Sequence, residues 1–347
     1  MAKKNYNNGY YEGSLNASNN EDGYGVFYWN DGAKYEGYWV NGVRQGKGKY
    51  TYTNKNHYDG DWVNDKRIGF GVYCWSSGAR YEGEWTNDKR TGFGKYYFTN
   101  GDIYEGDFVD GAKHGKGKYT WENGDYYEGD WNDNARTGKG TMHSSDGTVY
   151  EGEWLDGEKC GLGRAVRASG DVYEGHWEHN RYNGYGRYTW AGGGYYEGYF
   201  EDDFFTGYGI RKWPTGESCE GEWHADAQHG KCKYIWKSGA SYDGDFFEGK
   251  RTGKGVYIWS DQTRYEGDFV NGALEGFGTI LYHDGAAYSG SWKNDRWFGE
   301  GIFTPDGKVG YKGNWTSHRN SNDVVKISFD NPTPVHGKMR DGEFIPD

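Results

Sequence analysis

Apolar and polar positions alternate with a period of two in short runs along the chain, and no stretch carries a helical stripe. In a representative segment, Tyr81-Glu82-Gly83-Glu84-Trp85 alternates ring or glycine with acid. After Asn87-Asp88-Lys89-Arg90, the run Gly92-Phe93-Gly94-Lys95-Tyr96-Tyr97-Phe98 alternates again. Two such runs separated by Asn, Asp and Gly predict a β-hairpin, and Thr99-Asn100-Gly101-Asp102 predicts the turn into the next one. The pattern returns every 23 residues, at Tyr35, Tyr58, Tyr81, Tyr104, Tyr127, Tyr150, Tyr173, Tyr196, Cys219, Tyr242, Tyr265, Tyr288 and Tyr311, with a looser copy at Tyr11. A fixed period of this length predicts stacked units that bury their apolar faces only against neighbours.

The expected fold is therefore all-β, an elongated array of stacked β-hairpins forming one twisted antiparallel sheet, a solenoid-like rod. Residues 1–10 read as a polar extension. Residues 11–315 read as the array of fourteen copies, the last truncated, and residues 316–347 as a cap or association tail with one strand over Val324–Phe329 and prolines at Pro332 and Pro334. At about 4.8 Å per strand, each repeat advances the sheet by roughly 10 Å, and the array exceeds about 100 Å.

Positions within a repeat are numbered from the tyrosine as offset 0. Offsets 0, 2 and 4 share one face with offsets 11, 13, 15 and 17, so that face is all ring and glycine. Glycine holds offset 2 from Gly13 to Gly313 and offset 11 from Gly46 to Gly299, which reads as space for a neighbouring ring. Charges on the opposite face suggest that facing offsets sum to 15 within a hairpin. That register pairs Glu82 with Lys95 and Glu151 with Arg164, and likewise Asp107 with Lys116, Asp130 with Lys139 and Asp245 with Lys254. It sets Trp85 against Gly92. Between repeats a sum of 40 sets Phe98 against Tyr104 and Gly94 against Phe108.

Composition supports order. Aromatic residues make up 19% of the chain and the 61 glycines fall at fixed offsets between them, unlike a disordered Gly-rich linker. The formal charge of -12 argues against a nucleic-acid partner. Cys74, Cys160, Cys219 and Cys232 form no CxxC pair. Cys219 and Cys232 replace repeat residues, so no disulfide framework is expected and a reducing, cytoplasmic setting is. No signal-like or membrane-spanning apolar run is present.

Tyr-Glu-Gly-Glu-Trp, the Asn/Asp turn, Gly-x-Gly and Asn/Asp-Gly before the next tyrosine closely resemble the MORN repeat family over residues 11 to 315. The resemblance implies stacked hairpins with an aromatic-rich groove and a scaffolding role at cytoskeletal, ciliary or membrane-junction structures. It also implies phosphoinositide binding in some members. It transfers no catalytic residue. Some proteins carry these repeats before a lipid-kinase or methyltransferase domain, but only roughly 32 residues follow Trp315, so no appended enzyme is expected.

The acids at offsets 1 and 3 recur in nearly every copy and face cations, so they read as structural rather than as acid–base pairs. Gly244 to Lys250 fits GxxxxGK, but Arg251 follows where a phosphate loop needs Ser or Thr. His176 and His179 lack an evident third ligand. No cofactor and no metal is expected. At offset 9, in the expected hairpin loop, Arg44, Arg67, Arg90, Lys113, Arg136 and Lys159 would form a basic ridge for phosphoinositide membranes or an acidic partner. Leu274, Trp297, Phe298 and Trp315 would form a self-association surface, making a homodimer through the C-terminal repeats. The leading expectation is a non-enzymatic scaffold for cytoskeletal or axonemal proteins. A phosphoinositide-binding adaptor, and carbohydrate or choline recognition by exposed rings, are the alternatives.

Overall fold

A computed structural model describes residues 2–317, 320–328 and 334–347. The chain is all-β, with thirty-one strands and no helix among these residues. It divides into two units, Met1–Ser169 with Trp177–Asn180, and Gly170–His176 with Arg181–Asp347. In the first, the strands from Ala2–Tyr6 to Glu158–Val166 pair in chain order, each antiparallel to the next. In the second, the strands from Arg181–Thr189 to Glu343–Pro346 do the same.

Both ends extend the sheet beyond the repeat. Ala2–Tyr6 pairs with Gly9–Leu15, so the polar start of the chain is itself a strand. After Trp315 come strands Asn320–Ser328, Val335–Arg340 and Glu343–Pro346, with Val324 and Met339 buried. Phe329 and Pro332, expected in the tail's strand and its proline-bearing stretch, lie outside the described residues.

The repeat hairpin is Arg80–Thr86 against Lys89–Tyr97. Its first half follows the expected register, with Tyr81 opposite Tyr96, Glu82 opposite Lys95 and Gly83 opposite Gly94. The register then shifts: Glu84 faces Thr91 and Trp85 faces Arg90, not Gly92. The extra residues are taken up as a bulge at Gly92, whose φ of 53° lies in the left-handed region that a side chain disfavours. Glycine at offset 11 is thus set by backbone conformation, where spacing alone suggested room for a ring.

The loop is also shorter than the punctuation implied. Asn87 and Asp88, at φ 50° and 69°, make a two-residue turn whose twist suits antiparallel strands, and Lys89 and Arg90 belong to the second strand. Between repeats, Phe98 N–H donates to the Asp102 carbonyl and Gly101 N–H to the Phe98 carbonyl, at 2.9 and 3.3 Å. That turn places Tyr96 opposite Tyr104 and Gly92 opposite Phe108, a sum of 38 rather than 40. A two-residue slip leaves every side chain on its expected face, so alternation could not reveal it.

Candidate functional site

The ring-bearing face is built in two layers. The lower layer consists of the offset-0 tyrosines and offset-4 Trp or Phe, nearly all fully buried. The Tyr81 ring lies flat over Gly83 and Gly94: a Cβ on Gly94 would stand 2.6 Å from Tyr81 Cε2 and 2.7 Å from Cζ. Its hydroxyl donates to the Glu84 carbonyl at 3.0 Å, and Trp85 Nε1 donates to the Gly71 carbonyl at 3.2 Å. From Tyr35 onward the row tyrosines typically meet their own and the next repeat's offset-4 ring edge-on; Tyr58 lies 5.3 Å from both Trp62 and Trp85. The polar tips are satisfied by backbone carbonyls, so burial leaves them no unmet hydrogen bond.

The upper, half-exposed layer holds offsets 15 and 17 and, unexpectedly, offset 9. Tyr73 packs on Trp75 at 4.5 Å, Trp75 on Tyr96 at 5.3 Å and Tyr96 on Phe98 at 4.4 Å, giving a strip of rings from one repeat to the next. The offset-9 cations do not project from the loops. The short turn and the bulge bring them onto the strand opposite offset 4, and each lies over rings. Arg67 Cζ sits 4.4 Å from the Trp85 ring centroid, 5.5 Å from Tyr73 and 5.6 Å from Tyr58. Arg44, Lys113 and Arg136 repeat this at 4.4–4.5 Å over Trp62, Trp131 and Trp154. Arg90 lies 5.5 Å from the Phe108 ring, and Lys159 5.1 Å from Trp177. Such contacts contribute about 0.5–2 kcal/mol each.

Charge balance along this row is uneven. Arg44 Nε pairs with Asp65 at 2.8 Å and Arg67 Nε with Asp88 at 3.0 Å; the same oxygen also accepts the arginine's backbone N–H. At Lys113 and Lys159 the equivalent residues are Asn134 and Asn180, which keep the backbone hydrogen bond but carry no charge. Arg90 and Arg136 instead donate to the carbonyls of Gly111 and Gly157, at 2.7 and 2.6 Å. Burial holds Lys113 down to about 8, aided by the positive charge of Arg136. Burial likewise lowers Lys159, Arg90 and Arg136.

In the second unit the same slot takes apolar residues except at Gln228 and at Arg251, whose Cζ lies 5.4 Å from the Phe269 ring. Tyr182 stacks on Tyr173 at 3.8 Å, Phe205 on Tyr196 at 3.8 Å and Trp297 on Tyr288 at 4.2 Å. Leu274, Trp297 and Trp315 are therefore buried within the chain, and only Phe298, 51% exposed, remains of the expected self-association surface. Their position in the strand, not in the loop, is the reason. A slot that accepts Arg, Lys, Gln, Tyr, Phe, Leu or Trp selects for a long side chain that can lie along a ring. That mixture was the sequence signal for inward placement.

The opposite face carries the charge ladder, with altered partners. The bulge moves each offset-12 lysine toward the following repeat, so Lys116 pairs with Asp130 at 2.6 Å, not Asp107. Lys254 likewise pairs with Asp268 at 2.6 Å, and Lys231 with Asp245 at 2.7 Å. The acid of the same hairpin caps the bulge instead: Asp107 Oδ2 accepts the Lys116 backbone N–H at 3.1 Å, and Asp130 that of Lys139 at 3.0 Å. Cys219 and Cys232, expected as separate replacements, are joined by a disulfide, while Cys74 and Cys160 are free. His176 Nδ1 lies 3.1 Å from the Tyr185 carbonyl and His179 Nδ1 2.8 Å from Glu158. Among the described residues no His, Cys, Asp and Glu group is arranged to hold a metal.

The MORN repeat profile matches the chain thirteen times, at residues 17–34, then in consecutive segments from 35–57 to 265–287, and at 288–309. No match was found among curated proteins. Among solved structures, the TCP10 domain of Danio rerio CPAP, in complex with a peptide of Danio rerio STIL, is 12% identical, with a TM-score of 0.33. That match covers 65% of this chain and 92% of that one. The SAS-4 (dCPAP) TCP domain, in complex with a proline-rich motif of Ana2 (dSTIL) of Drosophila melanogaster, is 12% identical with a TM-score of 0.30, covering 45% and 85%. Scores of this size carry no argument about function.

Proposed function

Because the chain belongs to the MORN repeat family, a non-enzymatic repeat family, we propose that it is a protein-binding scaffold whose working surface is the upper layer of rings and offset-9 side chains. The observation that carries this reading is the unbroken contact of half-exposed rings Tyr73, Trp75, Tyr96, Phe98, Tyr119 and Trp121, from 4.4 to 5.5 Å apart. The lower layer already closes the core, so these rings are left available to a partner, and aromatic side chains at such a surface dominate binding.

The finer assignment, a scaffold that joins cytoskeletal or ciliary components to each other or to membrane, rests on the family alone. A phosphoinositide adaptor would draw on the offset-9 cations. Those cations lie along ring faces, which favours a segment that lies down on the sheet over a bilayer that needs projecting side chains.

Proximity labelling of the full chain in its source cell, beside a Trp75→Ser, Phe98→Ser, Trp121→Ser variant, tests the reading. The variant should lose the protein neighbours that the parent labels. An identical set of neighbours would overturn it.

A further inference from the structure

Four consecutive repeats hold cations that the chain leaves without an ion pair among the described residues. Arg90, Lys113, Arg136 and Lys159 are half-buried over rings. Their neighbours at Arg44 and Arg67 show the chain's own remedy, an aspartate at offset 7 of the next repeat. In the four repeats in question that place is Gly111, Asn134, Gly157 or Asn180.

Holding a charge away from water without a counter-charge is unfavourable, and a row of like charges adds to it. The downward displacement of Lys113 and Lys159, caused by burial and then by Arg136, reports both effects. A chain with 52 acidic residues has carboxylates to spare, yet none forms an ion pair with these four among the described residues; Asp102, which accepts the Tyr119 hydroxyl, offsets the burial of Lys113 only in part. Where the slot is apolar, at Tyr182, Phe205 and Leu274, the aspartate is present as a backbone cap only. The aspartate is also missing beside Gln228 and Arg251, where the place is Gly249 and Gly272, so what sets Arg90 to Lys159 apart is four such cations in consecutive repeats.

We infer that the face from Arg90 to Lys159 docks an extended acidic polypeptide segment, with a carboxylate about every third residue. This rests on the protein-binding reading above and names the chemistry of the partner. Repeats advance by roughly 10 Å, and a chain in the polyproline II conformation rises about 3.1 Å per residue with about three residues per turn, so every third side chain returns to the same face near the next cation. The intervening residues fall on Tyr96, Phe98, Tyr119 and Trp121. A nucleic acid, with its denser phosphates, is opposed by the net charge of -12. An anionic bilayer is opposed by exposed Asp110, Asp133 and Asp156 at the adjoining turns, which would approach the headgroups first.

The test uses the full chain and a fluorescein-labelled peptide of about twelve residues repeating Glu-Pro-Leu, beside its Gln-Pro-Leu counterpart and phosphatidylserine vesicles. The Glu peptide should bind at least about tenfold more tightly than the Gln peptide and weaken as salt rises. Asn134→Asp with Asn180→Asp should remove most of that preference. Both substitutions copy the arrangement at Asp65 and Asp88, and so spare the fold. A second variant, Arg90→Gln with Arg136→Gln, should do the same. Equal binding of the two peptides, no peptide binding, or binding of vesicles alone would overturn the inference. If proximity labelling shows protein neighbours that the ring variant loses but the Asn134→Asp, Asn180→Asp variant keeps, the acidic segment is refuted and the scaffold stands. If the ring variant loses none, the scaffold reading itself fails.

Discussion

Cys219 and Cys232 are bonded to each other at the two places that every neighbouring repeat gives to a tyrosine ring and the glycine beneath it. Tyr196 covers Gly209 and Tyr242 covers Gly255 so closely that a Cβ on either glycine would stand 2.5 Å from a ring carbon. The two departures from the repeat are thus one event, since losing the ring opened the space that the second sulfur fills. Thiol alkylation without reductant should label Cys74 and Cys160 only, and all four after reduction and unfolding. Four labelled thiols in the unreduced protein would contradict the bond. Cys219→Tyr alone drives a ring into Cys232 and should destabilise by roughly 1–3 kcal/mol, whereas Cys219→Tyr with Cys232→Gly restores the consensus and should melt higher than the single variant.

Gly94 and Gly192 separate the two uses of glycine. A Cβ at Gly94 enters the Tyr81 ring, which is fixed by its bond to the Glu84 carbonyl and cannot move aside. At Gly192 a Cβ meets nothing within 4 Å. Gly94→Ala should cost roughly 1–3 kcal/mol and Gly192→Ala almost nothing. Because repeat arrays open locally, amide hydrogen exchange over Arg80–Tyr97 is the appropriate readout. Equal protection in the two variants would show that the ring does not need the gap.

The offset-9 slot should accept exchange of its natural occupants. Arg90→Tyr copies Tyr182 on Tyr173, and Lys113→Leu copies buried Leu274. Both should leave the melting temperature unchanged or raise it, since each removes a half-buried charge. Arg90→Asp keeps a charge, loses the ring contact and should destabilise by roughly 1–3 kcal/mol. Were Arg90→Asp as stable as the parent, the cation would be solvated, as the loop reading of the sequence supposed.

Those outcomes bear on what alternation alone can and cannot convey. The face of each residue, the need of some ring for the space at a glycine and the antiparallel hairpins were legible, because a period of two assigns sides and a missing side chain marks close approach; which ring was not, since Tyr81, and neither Trp85 nor Phe108, lies over Gly94. The pairing of Lys116 with Asp130 was not. It depends on the bulge at Gly92 and its equivalents, and a shift by two residues changes partners while preserving faces. The same shift hid the inward placement of Arg67 and Trp297, because Asn-Asp turns read as a four-residue loop in which both would be exposed. The partnership of Cys219 and Cys232 was hidden differently. Each departure was visible along the chain, but only the ring-over-glycine contact shows that the two positions touch.

The buried tyrosines make a further prediction about alkaline pH. Burial raises Tyr35, Tyr58, Tyr81, Tyr104, Tyr127 and Tyr242 well above the ordinary 10.0, partly offset in all but Tyr104 by a nearby arginine. Above pH 10 the unfolded chain releases these protons and the folded chain retains them. The folded state then binds more protons, and stability falls as pH rises. The contribution is whole below pH 10 and declines from there upward through the folded values. Because many repeats act alike, loss of sheet should be steep. Tyrosinate absorbance from the row should appear together with loss of the β-sheet circular dichroism signal, not before it. Row tyrosines that ionise while the sheet persists would contradict their burial. Tyr81→Phe, which removes one such proton and the bond to Glu84, should cost about 1 kcal/mol at neutral pH and lose less of its stability on raising the pH.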